Sequence, residues 1–394
     1  MGHKVADGLG TVHMLVWNDF RHDARVLKEA QTLQTAGYQV SIHAVHAPGL
    51  TVRLEQLPEG INVLRSSWWV GKGKGNRFFS AISKISSRLY WHLRVLVHIC
   101  MARPEIIHSH DVNTLPTAWL AAKLARAQLV YDAHEISTDR VGYQRLSGMI
   151  AWVEGKLMPQ ADATITTTDM RAKFFARSYS VSRPLVLQNR PRYQEPIQSN
   201  RLREALQLDE PWPIVLYQGV MQQGRGLERL VQAAAEVDRA YFVFVGSGLI
   251  SEKLKELAEK LKITQRVRFI PAVPLAELPA YTASADIGVQ AIENTCLNHY
   301  TTDSNKLFEY VQARLPVIVS DMPEIRKVVR EYDLGLLIKP GDTGSLVSAL
   351  KTLVADADLR TYYVKQAYKA AEPLAWEQQE QQLVDLYNSL PKKK

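Results

Sequence analysis

Short apolar runs and helical periodicities alternate along almost the whole chain. His13–Trp17 reads as a buried strand. Over Asp23–Thr35 a helix follows, with Val26, Leu27, Ala30 and Leu33 on one face, and Gly37 ends it. Gln39–Val45, Glu105–His108, Gln128–Asp132, Ala161–Thr166 and Pro184–Leu187 continue the strand series, with helices predicted over Asn76–Met101, Leu115–Ala125 and Thr168–Ala176. A polar stretch carrying Pro191, Pro196, Pro211 and Pro213 reads as a linker. A second series then begins, with strands at Ile214–Gly219, Tyr241–Val245, Val267–Pro271, Ile287–Ile292, Pro316–Val319 and Leu334–Ile338. Helices are predicted between them, at Ser251–Leu261, at Glu277–Ala283, after Ser304, after an Asp321 cap, and from Asp342 to Val354. Glu293–Tyr300 reads as an irregular loop, and a last helix opening at Leu374–Glu377 must stop by Leu390 because Pro391 follows. Strand, helix, strand in this order predicts parallel sheets with right-handed crossovers, and ligands in such sheets lie beyond the carboxyl ends of the strands. The expected fold class is α/β, with two doubly wound parallel-sheet domains over residues 1–190 and 191–372 and a terminal helix in 373–394.

The 394 residues suffice for two or three cored domains. Cys100 and Cys296 stand far apart without metal-ligand spacing, which fits two buried thiols in a reduced, cytoplasmic setting. No run reaches the roughly 20 apolar residues of a membrane span, and the N-terminus shows no signal-peptide pattern. The net charge of +8 is unevenly placed: residues 1–190 hold 23 Lys and Arg against 14 Asp and Glu, and residues 191–394 hold 25 against 26. The first half is therefore the one expected to face an acidic partner.

Residues 60–104 sharpen that expectation. They hold eight Lys or Arg, no Asp or Glu, and six aromatic Trp, Phe or Tyr residues. The predicted helix there carries Phe78, Ile82, Ile85, Leu89, Leu93, Leu96 and Val97 as its apolar positions. Preceded by a loop with Trp68, Trp69, Lys72, Lys74 and Arg77, it suits an anionic membrane surface, each cation there contributing about 1 kcal/mol. The alternative is a core-packed helix with a basic outer face. No nucleic-acid-binding module is recognisable, and nucleic acid is not expected as a partner.

The strongest chemical signal is Thr302–Tyr310. Ser304 fits a helix N-cap, and Lys306 in the first turn opposes the helix dipole unless an anion sits before it. Glu309, one turn in, can accept hydrogen bonds from sugar hydroxyls. Asn305–Tyr310 followed by Leu315–Ser320 resembles the donor-binding segment of the retaining GT-B glycosyltransferases of family 4, and Ile106–Ala125 with Leu129–Glu135 resembles that family's N-terminal domain. Three positions depart from the usual pattern: Thr301 stands where a first Glu is expected, Arg314–Leu315 where a Gly precedes the Pro-Val strand, and Val220 where a first phosphate-binding cation is expected.

The resemblance implies two Rossmann-like domains facing a cleft, with the last helix crossing back onto the first domain. It implies transfer of a sugar from a UDP- or GDP-linked donor to a lipid-linked or glycan acceptor with retention, without a metal and with no cofactor beyond the nucleotide diphosphate sugar. No acidic DxD-type pair stands in a cleft loop of the sequence. The resemblance places His134 near the transferred sugar, with Arg225 and Lys306 on the diphosphate. Gly219, Gly246, Ile270, Pro271, Ser304, Asn305, Leu307 and Glu309 complete the expected donor site. Arg21 and Asp111 are expected toward the acceptor, although Arg21, His22 and Arg25 read equally as a solvated helix start. His299 is a further cleft candidate, and His110 stands beside Asp111. A nucleotide-sugar epimerase on the same fold and a non-catalytic nucleotide-sugar-binding subunit are the competing readings. The implied location is cytoplasmic, at the inner face of the membrane.

Overall fold

The computed structural model describes residues 9–67, 77–140 and 142–391. Trp68, Trp69, Lys72 and Lys74 lie outside them, as does the side chain of Arg77. The chain divides into two compact units, residues 1–188 with 379–394, and residues 189–378.

The first unit carries strands β1 (Gly10–Leu15), β2 (Tyr38–His46), β3 (Leu54–Gln56), β4 (Asn62–Ser67), β5 (Ile106–His110), β6 (Gln128–Ala133), β7 (Ala163–Thr166) and β8 (Leu185–Val186). They form one sheet in the order β3-β4-β2-β1-β5-β6-β7-β8, parallel except for β3 against β4. Its helices are α1 (Ala24–Thr35), α2 (Arg77–Ala102), α3 (Asp111–Ala125), α4 (Ser147–Leu157) and α5 (Asp169–Tyr179). Asp23 caps α1 by accepting from Val26 N–H, and Thr168 caps α5 by accepting from Arg171 N–H. The sheet's order reverses between β1 and β5, so the loops after these two strands flank a crevice at its carboxyl edge.

The second unit contains α6 (Arg201–Leu206), β9 (Ile214–Gln218), α7 (Leu227–Ala235), β10 (Tyr241–Val245), α8 (Ser251–Lys260), β11 (Val267–Ile270), α9 (Leu278–Ala283), β12 (Ile287–Gln290), α10 (Leu297–Tyr300), α11 (Asn305–Gln312), β13 (Val317–Ser320), α12 (Pro323–Tyr332), β14 (Gly335–Ile338), α13 (Thr343–Ala355) and α14 (Ala357–Ala371). The sheet is wholly parallel, ordered β11-β10-β9-β12-β13-β14, with its reversal between β9 and β12. Alternate residues of β9, β10 and β13 feed two cores, one on each face. The chain then returns to the first unit as α15 (Glu380–Asn388), where Tyr387 Oη meets His108 Nδ1 at 2.8 Å and Thr32 donates to Glu380 at 2.9 Å.

Several local expectations need correction. α10 lies inside the stretch read as an irregular loop, and α6 inside the stretch read as a linker. Asp321 does not cap α12: Met322 holds the cap position, and the Asp321 carboxylate pairs with Arg326. Both cysteines are part-buried rather than buried. On α2 the buried face is Trp91, Val95 and Ile99, whereas Leu89, Leu93 and Val97 point outward. Both stripes have helical spacing, so periodicity alone could not choose between them.

Candidate functional site

In the second unit the carboxyl ends of β9, β10 and β11 are tied side by side. Gly219 N–H donates to Val245 O and Gly246 N–H to Ile270 O, both at 2.9 Å, and Pro271 follows directly. Gly219 has φ 116°, a backbone conformation that favours glycine, and Lys306 Cε lies 2.8 Å from where a Cβ would stand, so the lysine lies across the strand end. The loop then runs through Arg225 to Gly226 (φ 70°), where a Cβ would fall 1.9 Å from Ala291 O. This glycine brings the N-terminus of α7 against the end of β12, beside the topological reversal.

Lys306 is the second residue of α11, part-buried, with Nζ 5.3 Å from the centre of the Tyr217 ring. Burial pushes its pKa from 10.5 down to about 8, and the nearby Arg225 guanidinium adds to the fall while Glu309 opposes it. Arg225 is thus near enough to act on Lys306, which stands in the first turn of α11, where the first backbone N–H groups have no intrahelical acceptor. With its amide oxygen turned toward Arg225, Gln222 accepts from Nη2 and Nε at 3.2 and 3.3 Å. Glu309 is oriented from behind. Buried Gln218 donates to its carboxylate at 2.5 Å, and Thr282 Oγ1 donates to Gln218 Oε1 at 2.7 Å. The fully buried Tyr310 hydroxyl lies 3.2 Å from both Leu216 O and Val289 O, which pins α11 to the strands on either side of the reversal. Leu307 is buried beneath the helix and Asn305 is exposed at its start.

Ser304 occupies the N-cap position but makes no side-chain capping bond. Its backbone is left-handed (φ 57°), and its N–H donates to Thr302 Oγ1 at 3.1 Å, so Thr302 rather than Ser304 organises the turn. Thr301, at the position of the absent first Glu, is buried and donates to Leu297 O at 2.9 Å. Arg314, where glycine was expected, keeps the left-handed backbone (φ 63°), with its guanidinium stacked between the Tyr193 and Tyr368 rings at 5.5 and 5.3 Å. His299 Nδ1 lies 2.9 Å from Thr295 Oγ1 and 3.1 Å from Glu293 O, packed on Gly224. Val220 is exposed.

In the first unit the expected residues His134 and Asp111 do meet. His134 follows β6, and its Nε2 lies 3.0 Å from the wholly buried Asp132 carboxylate. Its backbone N–H donates to Asp111 Oδ1 at 3.2 Å, and Asp111 Oδ2 lies 3.4 Å from Arg140 Nη1. Asp111 begins α3 in a left-handed conformation, φ 61°, at which most residues are strained. Burial works against charge on His134, but Asp111 and Asp132 outweigh it and raise its pKa to about 9. At neutral pH the ring is therefore an imidazolium, able to donate and unable to act as a base.

Arg25, read earlier as loop or solvated helix start, is instead buried and bidentate on Asp132, at 2.7 and 3.0 Å, with a third bond to Leu187 O at 2.6 Å. Asp132 lies 107 residues away in sequence, and no local pattern announces such a pair. Burial raises the Glu29 pKa above its ordinary value against the pull of Arg25, whose Nε lies 3.1 Å from the Glu29 carboxylate. His110 Nδ1 lies 3.2 Å from His134 Nε2 and completes the cluster. Arg21 does not join it: its guanidinium is held by Asp19 at 2.7 Å in the loop after β1.

The chain matches two family models: one described as glycosyl transferases group 1 over residues 198–370, the other as a glycosyl transferase 4-like domain over residues 23–190. It is 26% identical over 310 residues to a D-inositol 3-phosphate glycosyltransferase of Corynebacterium urealyticum, covering 73% of this chain and 72% of that one. It is 22% identical over 374 residues to a phosphatidyl-myo-inositol mannosyltransferase of Mycobacterium leprae, covering 93% and 92%. Among solved structures, Anabaena HepE in complex with UDP-glucose superposes with a TM-score of 0.77 at 16% identity, over 97% of this chain and all of that one.

Proposed function

Because this chain is a GT-B glycosyltransferase of the family-4 type, we propose that it takes its sugar from a nucleotide diphosphate sugar held at the start of α11. The single observation that carries this reading is a part-buried Lys306 in the first turn of α11 with a second cation, Arg225, near enough to lower its pKa. Without an anion the two repel, and burial adds to the cost; a diphosphate between them removes the repulsion and takes up the helix dipole. Glu309, steered by Gln218, would grip the ribose hydroxyls, and the ends of β9, β10 and β11 around Gly219, Gly246, Ile270 and Pro271 would line the nucleotide. HepE is solved with UDP-glucose, which favours a uridine donor.

Transfer needs charge stabilisation on the departing diphosphate, and the two cations with the helix end supply it without invoking a metal. Retention then follows from front-face attack within an ion pair, with no enzymic nucleophile. His134, whose ring Asp132 orients within the first unit, is proposed as a hydrogen-bond donor in the transfer step. The acceptor is proposed to be lipid-linked. One relative is a mannosyltransferase named for phosphatidyl-myo-inositol, and α2 exposes Leu89, Leu93, Val97 and Met101, four residues apart, beside Arg88 and Arg94. No helix among the described residues is long and apolar enough to cross a membrane, and the attachment proposed is interfacial, through the exposed apolar stripe of α2.

A thermal-shift screen of UDP, GDP, ADP and their sugars, followed by incubation of the stabilising sugar with lipid extract, tests the reading. The expected result is a rise in Tm with one nucleotide family and a labelled glycolipid. Stabilisation without any product, with or without lipid, would instead favour a binding subunit. Conversion of the donor sugar without acceptor would favour an epimerase.

A further inference from the structure

Away from both constellations, three histidines from three elements meet on one face of the first sheet. β1 and β2 are parallel neighbours with His13 opposite Ser41 and Leu15 opposite His43, so His13 and His43 lie diagonally on the same face. α2 covers that face, burying Trp91, Val95 and Ile99 with Leu15, and Trp91 Nε1 donates to Ala44 O at 3.1 Å. His98, the residue before Ile99, stands at the exposed edge of the helix. The ring centres are 5.0 Å apart for His13 and His43, 5.2 Å for His43 and His98, and 6.4 Å for His13 and His98. One ring nitrogen from each residue lies within 4.8 Å of the other two. Interior strands of parallel sheets are ordinarily apolar on both faces, so two adjacent imidazoles under a third call for a ligand or a network. The hydrogen bond between His43 Nε2 and His13 Nδ1, 3.0 Å, satisfies one nitrogen of each strand histidine and leaves His98 outside it.

We propose that His13, His43 and His98 form a binding site for a borderline divalent transition-metal ion, Zn²⁺ being the probe. Imidazole nitrogen is a preferred ligand for zinc, copper and nickel. A tetrahedral zinc ion with Zn–N of about 2.0–2.1 Å needs ligand nitrogens about 3.3 Å apart. The two strand nitrogens already stand near that spacing, and His98, on the helix surface, has the rotamer freedom to close the remainder. Such an ion would tie α2 to β1 and β2, and so fix the seat of the helix whose outer face carries Leu89, Leu93 and Val97.

The test uses the full chain without a histidine tag, stripped with EDTA and titrated with ZnCl₂ calorimetrically and with CoCl₂ in the visible range. The expected result is one ion per chain with a micromolar or tighter Kd and the intense bands of tetrahedral Co²⁺. A rise in Tm of roughly 5 °C is expected at a hundredfold excess over Kd. His98→Ala, at an exposed helix position, should leave the metal-free Tm within about 1 °C and weaken the site by about 100-fold or more, because it removes a direct ligand. His43→Gln should lose the site equally. Undiminished binding by folded His98→Ala, no saturable binding by the wild type, or only the weak spectrum of octahedral Co²⁺ would each overturn the proposal and leave the trio as a hydrogen-bonded network.

Discussion

Replacing Lys306 by Met removes the charge and keeps most of the volume, and it should move stability and binding in opposite directions. The pKa of Lys306 falls from 10.5 in the unfolded chain to about 8 in the empty folded protein. At 1.36 kcal/mol per unit that is about 3 kcal/mol of penalty on the charged form, which we reduce to about 1–3 kcal/mol because the side chain retains some contact with water. The sign follows from proton counts. Between pH 8 and 10.5 the unfolded chain holds more protons than the folded one, so the stability of the empty protein climbs with pH across that window. Below pH 8 the whole penalty is present. At pH 7 Lys306→Met should therefore stabilise the empty protein and raise Tm by roughly 3–8 °C.

Binding goes the other way. Loss of a charge-assisted contact to phosphate should weaken UDP by about 10–100-fold. In the wild type, affinity should be full below pH 8 and fall about tenfold between pH 7 and pH 9, because the bound diphosphate restores the proton that the empty site gives up. Titration calorimetry at several pH values, in buffers of different ionisation enthalpy, reads both the affinity and the proton uptake. A Lys306→Met protein with unchanged Tm and undiminished UDP affinity would refute the electrostatic account of this site.

Four further outcomes follow from the same geometry. Arg225→Ala should lower kcat by about 10²–10³-fold, the usual cost of losing one preorganised charge-stabilising donor; near-normal turnover counts against its place on the diphosphate. Asp132→Asn breaks the buried pair with Arg25 and should cost about 3–5 kcal/mol in chemical denaturation, and it should also lower the His134 pKa from about 9 in an NMR titration; an unshifted ring would show that Asp132 does not set its charge. Tyr310→Phe removes the one phenolic proton shared between two buried carbonyls and should destabilise the protein by about 1–3 kcal/mol, with an equal or larger loss of donor affinity than of kcat; a lower kcat at unchanged KM would contradict its role as an anchor for α11. Leu89→Asp with Leu93→Asp should abolish flotation with anionic vesicles while leaving Tm unchanged, since both side chains are exposed; retained flotation would place the membrane-binding surface elsewhere.

The strands were legible because parallel strands buried on both faces are nearly continuous apolar runs, as in Ile287–Gln290 and Val317–Ser320. β4 escaped notice because Arg65, Ser66 and Ser67 interrupt it. Arg65 is buried, with Nη1 on Glu55 at 2.6 Å and Nε on Asp19 O at 3.0 Å, and neither partner is apparent before the fold is known. α4 was missed for a related reason. Its inward Glu154 accepts from the hydroxyls of Tyr131, Ser137 and Tyr179, while Met149 and Trp152 face outward, so its polarity is inverted. α14 buries alanines, Ala367, Ala370 and Ala371, which carry little periodic signal. Among the site residues, Lys306, Glu309 and His134 could be named from local context. Arg25, Gln218 and Tyr310 could not, because each acts through a partner brought in from another element.

The three departures from the family pattern have different consequences once the surroundings are known. At 314 the backbone keeps the conformation a glycine would take, and two aromatic rings hold the arginine, so the substitution is absorbed locally. At 301 the threonine is spent on the end of α10, 2.9 Å from Leu297 O, and offers the ligand no carboxylate. At 220 the exposed valine offers no cation. The loss at 301 removes negative charge and the loss at 220 removes positive charge, so the pair changes the net charge of the site little. What changes is its distribution: under the proposed reading, the positive charge left for a diphosphate would rest on Lys306 and Arg225, and Arg225 already lowers the Lys306 pKa in the empty protein. A site with spare cations tolerates the loss of one. This one should not, and for that reason the Lys306 substitution is expected to separate stability from binding so sharply.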